Sequence, residues 1–283
     1  MSDDIDDSSA PLIEHLAELR TRLIVSVAAF LVGMILCFVV AEPILKFLLL
    51  PIENTMRSLG NPNPTMIYTA PQEYFFTLIR VSVVGALIVA FPVIAHQLWR
   101  FVAPGLYRQE RNAFLPFLIA SPVLFLLGAA FAHFVVVPLA MQFFLGFSDA
   151  ASLLAAMVVD GVSDLRDTGI DVVFQGKVNE SLDISLKMIV AFGLCFQLPV
   201  LLTLMGKAGL VSAEGLAGMR KYAVVGILVL AAIVTPPDVV TQVILFVVVF
   251  GLYEVSIWLV RGVERKRTKR MREEGLLDED EEL

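Results

Sequence analysis

Six apolar segments constrain this chain more strongly than any other feature of its sequence. Hydrophobic residues make up 58% of the chain, against about 45–50% in a soluble domain. Crossing a bilayer takes about 20 apolar residues in a helix, and lipid admits only helices and closed barrels, because backbone groups must be paired internally. The runs predict an all-α membrane protein with six transmembrane helices, at about 23–41, 74–98, 113–138, 188–206, 222–235 and 239–260.

The distribution of lysine and arginine predicts the orientation of these helices. Fifteen of the 21 basic residues fall in one set of connections, which includes both chain ends. Because short cytoplasmic segments are enriched in basic residues, both termini are expected in the cytoplasm. Residues 1–11 are expected to form a disordered acidic tail, and residues 263–283 a charged cytoplasmic tail. The outer connections, about 42–72 and 142–187, are long, and pieces of helix or hairpin are expected within 148–183.

The fifth apolar run is unusually short. Its 14 residues extend about 21 Å as a helix, whereas the hydrocarbon core is about 30 Å thick. Pro236-Pro237 follows at once and restricts the backbone before it, so the fifth and sixth helices are expected to form a close hairpin. In the fourth span, Pro199 comes two residues after Gln197, and a kink is expected there.

Two carboxylates next to the predicted spans are candidate binding groups. Glu18 lies on a helix whose spacing also allows an ordinary surface ion pair with Arg22, four residues on. Glu110 opens the third span, where it can equally serve to stabilise the helix terminus. Both lie on the predicted cytoplasmic side, and together they can hold guanidinium groups by charge-assisted bonds that distinguish arginine from lysine. Spacing alone leaves these interpretations open.

Polar side chains inside an apolar span are functional candidates by default, and the chain places four there: Arg80, Gln197, His133 and Glu254. Arg80 is close enough to the outer end of its span to reach the interface. Glu254 is expected to pair with Arg261 or Arg265. Helix–helix contact is the alternative role for all of them. A solute or ion path needs acids at mid-membrane depth, which the chain lacks, and this weakens the alternative function of small-solute secondary transport.

The sequence argues against covalent chemistry. It carries no nucleophile–base pair, zinc-binding motif or phosphate-binding loop, so the chain is not expected to be an enzyme or to hold a metal or cofactor. Cys37 and Cys195 each lie inside an apolar run and are expected to be buried hydrophobes and not a disulfide. The acidic ends give no reason to expect a nucleic-acid partner.

A series of motifs resembles the TatC family, the core subunits of the twin-arginine protein translocase. The motifs lie in order along the chain, at residues 15–23, 70–71, 91–92, 97–110, 131–134, 191–193 and 235–242. The resemblance implies a concave, glove-like bundle of six helices in the bacterial cytoplasmic (inner) membrane, with short fifth and sixth spans. It also implies a receptor that binds twin-arginine signal peptides of folded proteins at the cytoplasmic face, self-associates, and works with single-span TatB and TatA partners. Export would use the proton-motive force.

The resemblance also assigns roles to individual residues. It implies that the signal peptide is bound by four residues: Glu18, Glu110, Arg20 and Phe101. It implies partner-contacting or structural roles for five others: Pro51, Gln197, Asp238, Gln242 and Glu254. The chain departs from the family pattern at Gln197, where many members carry glutamate, so a role that needs a charge there is not expected to be retained. His96 and His133 stand where aromatic residues are common in the family.

Overall fold

The computed structural model describes residues 6–102, 115–158 and 175–273. The described chain is mostly helical. Its helices are α1 (Asp6–Val39), α2 (Ala41–Ser58), α3 (Pro71–Val102), α4 (Leu115–Phe131), α5 (Val137–Val158), α6 (Val178–Cys195), α7 (Leu198–Lys207), α8 (Ala213–Gly218), α9 (Arg220–Val234) and α10 (Val239–Glu273). A π-helical turn, Ala132–Val136, joins α4 to α5. Two short strands, β1 (Met66–Ile67) and β2 (Gly176–Lys177), pair in parallel.

Within the described residues, five segments are long and apolar enough to cross a membrane: His15–Val39, Pro71–Phe101, Pro116–Phe147, Val178–Lys207 and Val239–Glu273. They correspond to the first four predicted spans and the sixth. Large apolar side chains face outward along them, for example Ile35 at 67% exposed. Such outward apolar faces suit lipid, whereas a soluble protein would bury them. The predicted fifth span, 222–235, corresponds to α9, which is too short to be counted with the others.

Several boundaries differ from the predicted ones because helices continue into polar sequence. α1 already begins at Asp6, inside the predicted acidic tail, and α10 runs on to Glu273, beyond the predicted end of its span at 260. α6 begins at Val178, ten residues before the predicted fourth span. Hydrocarbon sets the length of an apolar run, but backbone hydrogen bonding lets the helix extend into water.

The α4–α6 contact forms the tightest part of the core. A Cβ atom on Gly128 would lie 2.5 Å from the carbonyl oxygen of Phe192, and a Cβ on Gly193 would lie 2.7 Å from the ring of Phe125. The two phenylalanines are fully buried. Small residues let membrane helices approach closely, and van der Waals packing then supplies much of the association energy.

The expected break in the fourth span and the expected hairpin are both present. α6 ends at Cys195, and α7 begins at Leu198 with Pro199 in its first turn. α9 ends at Val234 and α10 begins at Val239, so four residues make the turn that contains Pro236-Pro237. In both places proline removes a backbone donor that a continuous helix would need.

The first predicted outer connection is an ordered helix with a capped end. α2 is amphipathic and buries Ile52 and Met56 against the bundle. Its end is closed by Gly60 at φ 93°, with the N–H of Asn61 donating to the carbonyl of Met56 at 3.1 Å. A left-handed residue of this kind satisfies the last helical carbonyls, and glycine adopts it without strain. The β1–β2 pair then ties this connection to the second outer one.

Candidate functional site

The candidate site lies where α1 meets the end of α3. Arg22 donates from Nε to Glu18 Oε1 at 2.9 Å, and its Nη2 also donates to that oxygen. Nη1 of Arg22 reaches Gln97 Oε1 on α3 at 3.4 Å. The side chains of Arg22 and Glu18 are 15% and 33% exposed. The pair is therefore half-buried between two helices, a stronger setting than an open surface.

A ring contact lies beside this ion pair. His15 on α1 stacks on Phe101 at the end of α3, with ring centroids 4.3 Å apart and planes 17° from parallel. His15 precedes Glu18 by three residues, so the two side chains lie on one face of α1. We call these five residues the α1–α3 site: His15, Glu18, Arg22, Gln97 and Phe101.

The α1–α3 site includes two of the four residues that the family resemblance assigned to signal-peptide binding. Glu18 and Phe101 are in it. Arg20 is exposed and lies about 200° around α1 from Glu18, because each helical residue turns about 100°. Glu110 lies outside the described residues. The predicted Glu18–Arg22 pair is confirmed, whereas the contributions of His15 and Gln97 were not predicted, although both belong to the quoted motifs.

Gln197 makes a reciprocal contact in the interior. Its Nε2 donates to the carbonyl of Ser121 on α4 at 2.8 Å, and the Ser121 hydroxyl donates to Gln197 Oε1 at 2.6 Å. Gln197 lies in the break between α6 and α7, where the interrupted helix leaves space for a side chain to cross to α4. A neutral amide satisfies both of these bonds, since it carries a donor and an acceptor.

The predicted partner of Glu254 is wrong. Arg220 at the start of α9 donates to both of its carboxylate oxygens, at 2.6 Å and 2.9 Å. Arg261 and Arg265 are seven and eleven residues further along α10, which separates them from Glu254 by about 10 Å and 16 Å along the axis. The bidentate pair instead joins the two helices of the predicted hairpin.

Three other candidate residues are placed by local structure. Asp238 is buried and caps α10: its Oδ1 accepts from the N–H of Thr241 at 2.6 Å, and its Oδ2 accepts from the Thr241 hydroxyl. Gln242 is partly exposed on the first turn of the same helix. Pro51 is buried inside α2, and its carbonyl accepts from the Thr55 hydroxyl at 2.8 Å.

A separate groove of about 830 Å³ lies far from the α1–α3 site. Its apolar walls come from α3, α6 and the end of α9, and its rim carries Arg80, Asp183 and Lys187. Arg80 donates to Asn179 at 2.8 Å and lies 3.8 Å from Asp183. Arg80 precedes Gln97 by 17 residues, or about 25 Å along α3, so the groove and the α1–α3 site lie toward opposite ends of this helix.

The described residues contain no group of three or more histidine, cysteine, aspartate or glutamate side chains that could hold a metal ion. Cys37 and Cys195 are both buried and unpaired, in agreement with the sequence. The α1–α3 site offers groups suited to binding: a carboxylate and an amide oxygen for a cation, next to a pair of stacked rings for an apolar group.

A family model for the Sec-independent protein translocase protein (TatC) matches residues 14–247. The chain belongs to the TatC family. A protein of this name from Magnetococcus marinus is 45% identical over 264 residues, 93% of this chain and 89% of the relative. The one from Aquifex aeolicus is 40% identical over 257 residues, 91% of this chain and 97% of the relative.

A solved structure agrees with this assignment. A crystal structure described as the twin-arginine translocase receptor TatC superposes with a TM-score of 0.71 at 38% identity, and covers 88% of this chain and 99% of that chain. TatC is a membrane component of a protein translocase and not an enzyme. It is part of the Tat system, which implies partner Tat subunits. Membership in TatC thus favours protein transport over the alternative of small-solute transport.

Proposed function

We propose that this TatC chain is the receptor subunit that binds twin-arginine signal peptides of folded proteins at the cytoplasmic face. The observation that carries the proposal is the contact between Glu18 and a guanidinium group, that of Arg22. A carboxylate held in this geometry is able to receive the guanidinium of a ligand. Planar donors in a fork suit such a carboxylate, and the compact ammonium of lysine does not reproduce them.

The proposed binding surface combines charge with an apolar contact. Glu18 and Glu110 receive the paired arginines, and Arg20 belongs to the same surface. Phe101, stacked on His15, offers an aromatic face to the apolar residues or the guanidinium planes of the peptide. Two carboxylates are needed because one guanidinium saturates the fork-like hydrogen bonding of one carboxylate.

The proposed topology has six spans with both termini in the cytoplasm, arranged as a concave, glove-like bundle. The fifth of these spans is supplied by α9, whose 15 residues extend about 22 Å and require a locally thinned bilayer or a neighbouring cavity. The positive charge of α10 beyond Val260 supports the cytoplasmic assignment of that end. On this topology the α1–α3 site is cytoplasmic and the Arg80 groove opens toward the outer side.

The proposed partners are single-span subunits of the TatB and TatA type, with a second copy of this chain. Gln242 is partly exposed near the outer end of α10 and offers a polar contact to a partner helix. Pro51 has a structural role within α2, and Asp238 caps the start of α10. Glu254 joins α9 to α10 through Arg220, and Gln197 joins α4 to the α6–α7 break. Export of the bound protein uses the proton-motive force and involves no cofactor.

Peptide binding tests the proposal directly. A labelled twin-arginine peptide and its twin-lysine version are titrated against the detergent-solubilised full chain by fluorescence anisotropy. Glu18→Ala and Glu110→Ala should each weaken binding of the arginine peptide about tenfold or more, because a hydrogen bond to a charged group contributes about 1.5–3 kcal/mol and about 1.4 kcal/mol equals a factor of ten.

Glu53→Ala is the matched control. Glu53 also accepts from an arginine four residues on, Arg57, with two nitrogens at 3.1 Å and 2.9 Å from one oxygen. It lies on α2, however, on the predicted outer side. Its variant should bind both peptides as the wild type does. The proposal is wrong if Glu18→Ala and Glu110→Ala both bind the arginine peptide as tightly as the wild type.

A further inference from the structure

The carboxylate proposed to receive a ligand's arginine is already occupied by an arginine of the same chain. Arg22 directs both Nε and Nη2 to a single oxygen of Glu18, Oε1. Within the described residues, Glu18 Oε2 accepts no hydrogen bond. A ligand guanidinium that bonds both carboxylate oxygens in the fork arrangement must therefore take Oε1 from Arg22.

The hold on Arg22 from the second helix is weak. Nη1 lies 3.4 Å from Gln97 Oε1, at the long limit for a hydrogen bond. The neighbouring Ser26 hydroxyl donates to the backbone carbonyl of Arg22 and does not restrain the guanidinium. The side chain can therefore leave Glu18 by rotating about its own bonds, without separation of α1 from α3.

We propose that Arg22 is an internal competitor that occupies Glu18 in the free protein and sets the affinity threshold that an incoming cationic peptide must exceed. The inference rests on the proposed function and concerns regulation of the same site. Binding requires the open form, in which Arg22 has left Glu18. The measured dissociation constant is then the intrinsic one divided by the open fraction.

The size of the effect follows from the strength of the pair. Exposed ion pairs at this helical spacing favour the paired form by about twofold, and well-placed ones by up to about fivefold. The half-buried Glu18–Arg22 pair is at the upper end, which corresponds to an open fraction of about one in six. The Glu18–Arg22 pair raises the dissociation constant of every ligand by the same factor. For weakly binding peptides the dissociation constant then exceeds the peptide concentration, whereas for strongly binding peptides it does not.

The test compares Arg22→Met with the wild type, in the full-length chain and with the twin-arginine and twin-lysine peptides. Methionine keeps an unbranched apolar stem between α1 and α3 but cannot pair with Glu18. Affinity for both peptides should rise by the same factor, about three- to sixfold. The gain should lie in the association rate, since the open fraction limits the encounters that lead to binding, and the dissociation rate should not change.

Two further variants separate competition from general electrostatics. Arg22→Lys keeps the positive charge but loses the fork of donors, so part of the gain should remain. If Arg22 only repels cationic peptides, Arg22→Lys will bind as the wild type does. In the double variant Glu18→Gln/Arg22→Met, replacement of Arg22 should add no affinity beyond that of Glu18→Gln alone, because the competitor has no carboxylate to occupy.

Arg57→Met is the matched control, since Arg57 makes the same pair with Glu53 on α2, and it should leave both rates unchanged.

The inference is overturned if Arg22→Met and Arg22→Lys bind the arginine peptide no faster than the wild type. It is also overturned if the gain persists without Glu18. Failure of the proposed function is distinct: the wild type would then show no preference for arginine and no dependence on Glu18. Should Arg22→Met fail to fold, Arg22→Lys decides alone.

Discussion

Two glutamines, each joining two membrane helices, behave differently in this molecule. Gln197 in the interior exchanges two hydrogen bonds with Ser121, at 2.6 Å and 2.8 Å. Gln97 in the α1–α3 site makes one long contact of 3.4 Å to Arg22. The first pair is satisfied within the protein and fixes the position of α4 against α6–α7. Among the described residues, this long contact is the one side-chain hydrogen bond that Gln97 makes.

This difference indicates that the interior polar contacts stabilise the fold, whereas those of the α1–α3 site are suited to binding a ligand. The interior packs glycine against backbone, as at Gly128 and Phe192, and closes its polar groups on each other. In the described part of the chain, the α1–α3 site leaves Glu18 Oε2 without a hydrogen bond and holds Gln97 by a single long contact. A binding site needs groups whose best partner is the ligand, whereas a scaffold needs groups whose partners are already present.

The largest expected effect is on the stability of the α4–α6 contact. Gly128→Ala places a methyl group 2.5 Å from the carbonyl oxygen of Phe192, so the backbones of α4 and α6 must move apart. Such overpacking costs about 1–3 kcal/mol. Thermal unfolding in detergent should show the loss as a clearly lower midpoint.

Gly251→Ala is the control for this change. Gly251 is also helical, but a Cβ there meets nothing within 4 Å, so its midpoint should stay the same or rise. Equal losses for the two variants would contradict the importance of the close α4–α6 approach.

The next largest effect is expected when the hydrogen-bonded pair of Gln197 and Ser121 is broken. Gln197→Leu leaves the Ser121 hydroxyl without its acceptor and should lower stability by about 1 kcal/mol. The double variant Ser121→Ala/Gln197→Leu should lose less than the sum of the single changes, because the two side chains form one unit. If the loss in the double variant equals the sum of the losses in Ser121→Ala and Gln197→Leu, the hydrogen bonds between the two side chains contribute nothing to stability.

The smallest effect concerns the ring pair of the site. Phe101→Ala removes the aromatic face proposed to contact the peptide, and because an aromatic contact contributes about 0.5–1.5 kcal/mol, peptide binding should weaken about two- to tenfold. Phe101→Tyr keeps the ring and should retain binding.

Tyr68→Ala removes a comparable ring contact on the outer side, with Tyr74 at 5.7 Å, and serves as the control. Weakened binding in Tyr68→Ala to the same degree would mean that ring loss acts through the fold and not through the α1–α3 site.

Features of the fold that depend on a local stretch of sequence were predictable, and features that depend on tertiary contacts were not. Apolar runs predicted the spans because a bilayer imposes a minimum length on each one. They did not predict where helices continue into polar sequence, as α6 does from Val178 through Asp183 and Lys187. α9 was recognised as a short apolar run, and Pro236-Pro237 marked the turn at its end.

The site was predictable only in its local part. The Glu18–Arg22 pair follows from a spacing of four residues. The contact to Gln97 joins residues 75 apart in sequence, and spacing holds no information on such a contact. The same limit explains Glu254, whose partner comes from the neighbouring helix α9 and not from α10 itself.

The central claim is that the α1–α3 site serves peptide binding and the Gln197–Ser121 pair serves stability. Measuring both properties in one variant of each region tests this claim most directly. Dissociation constants for the twin-arginine peptide and unfolding midpoints are determined for Glu18→Gln and Gln197→Leu in the same detergent. The expected result is a loss of affinity of about tenfold or more for Glu18→Gln, and a lower midpoint with wild-type affinity for Gln197→Leu. The account is contradicted if Glu18→Gln retains wild-type affinity, or if Gln197→Leu weakens binding as much as Glu18→Gln does.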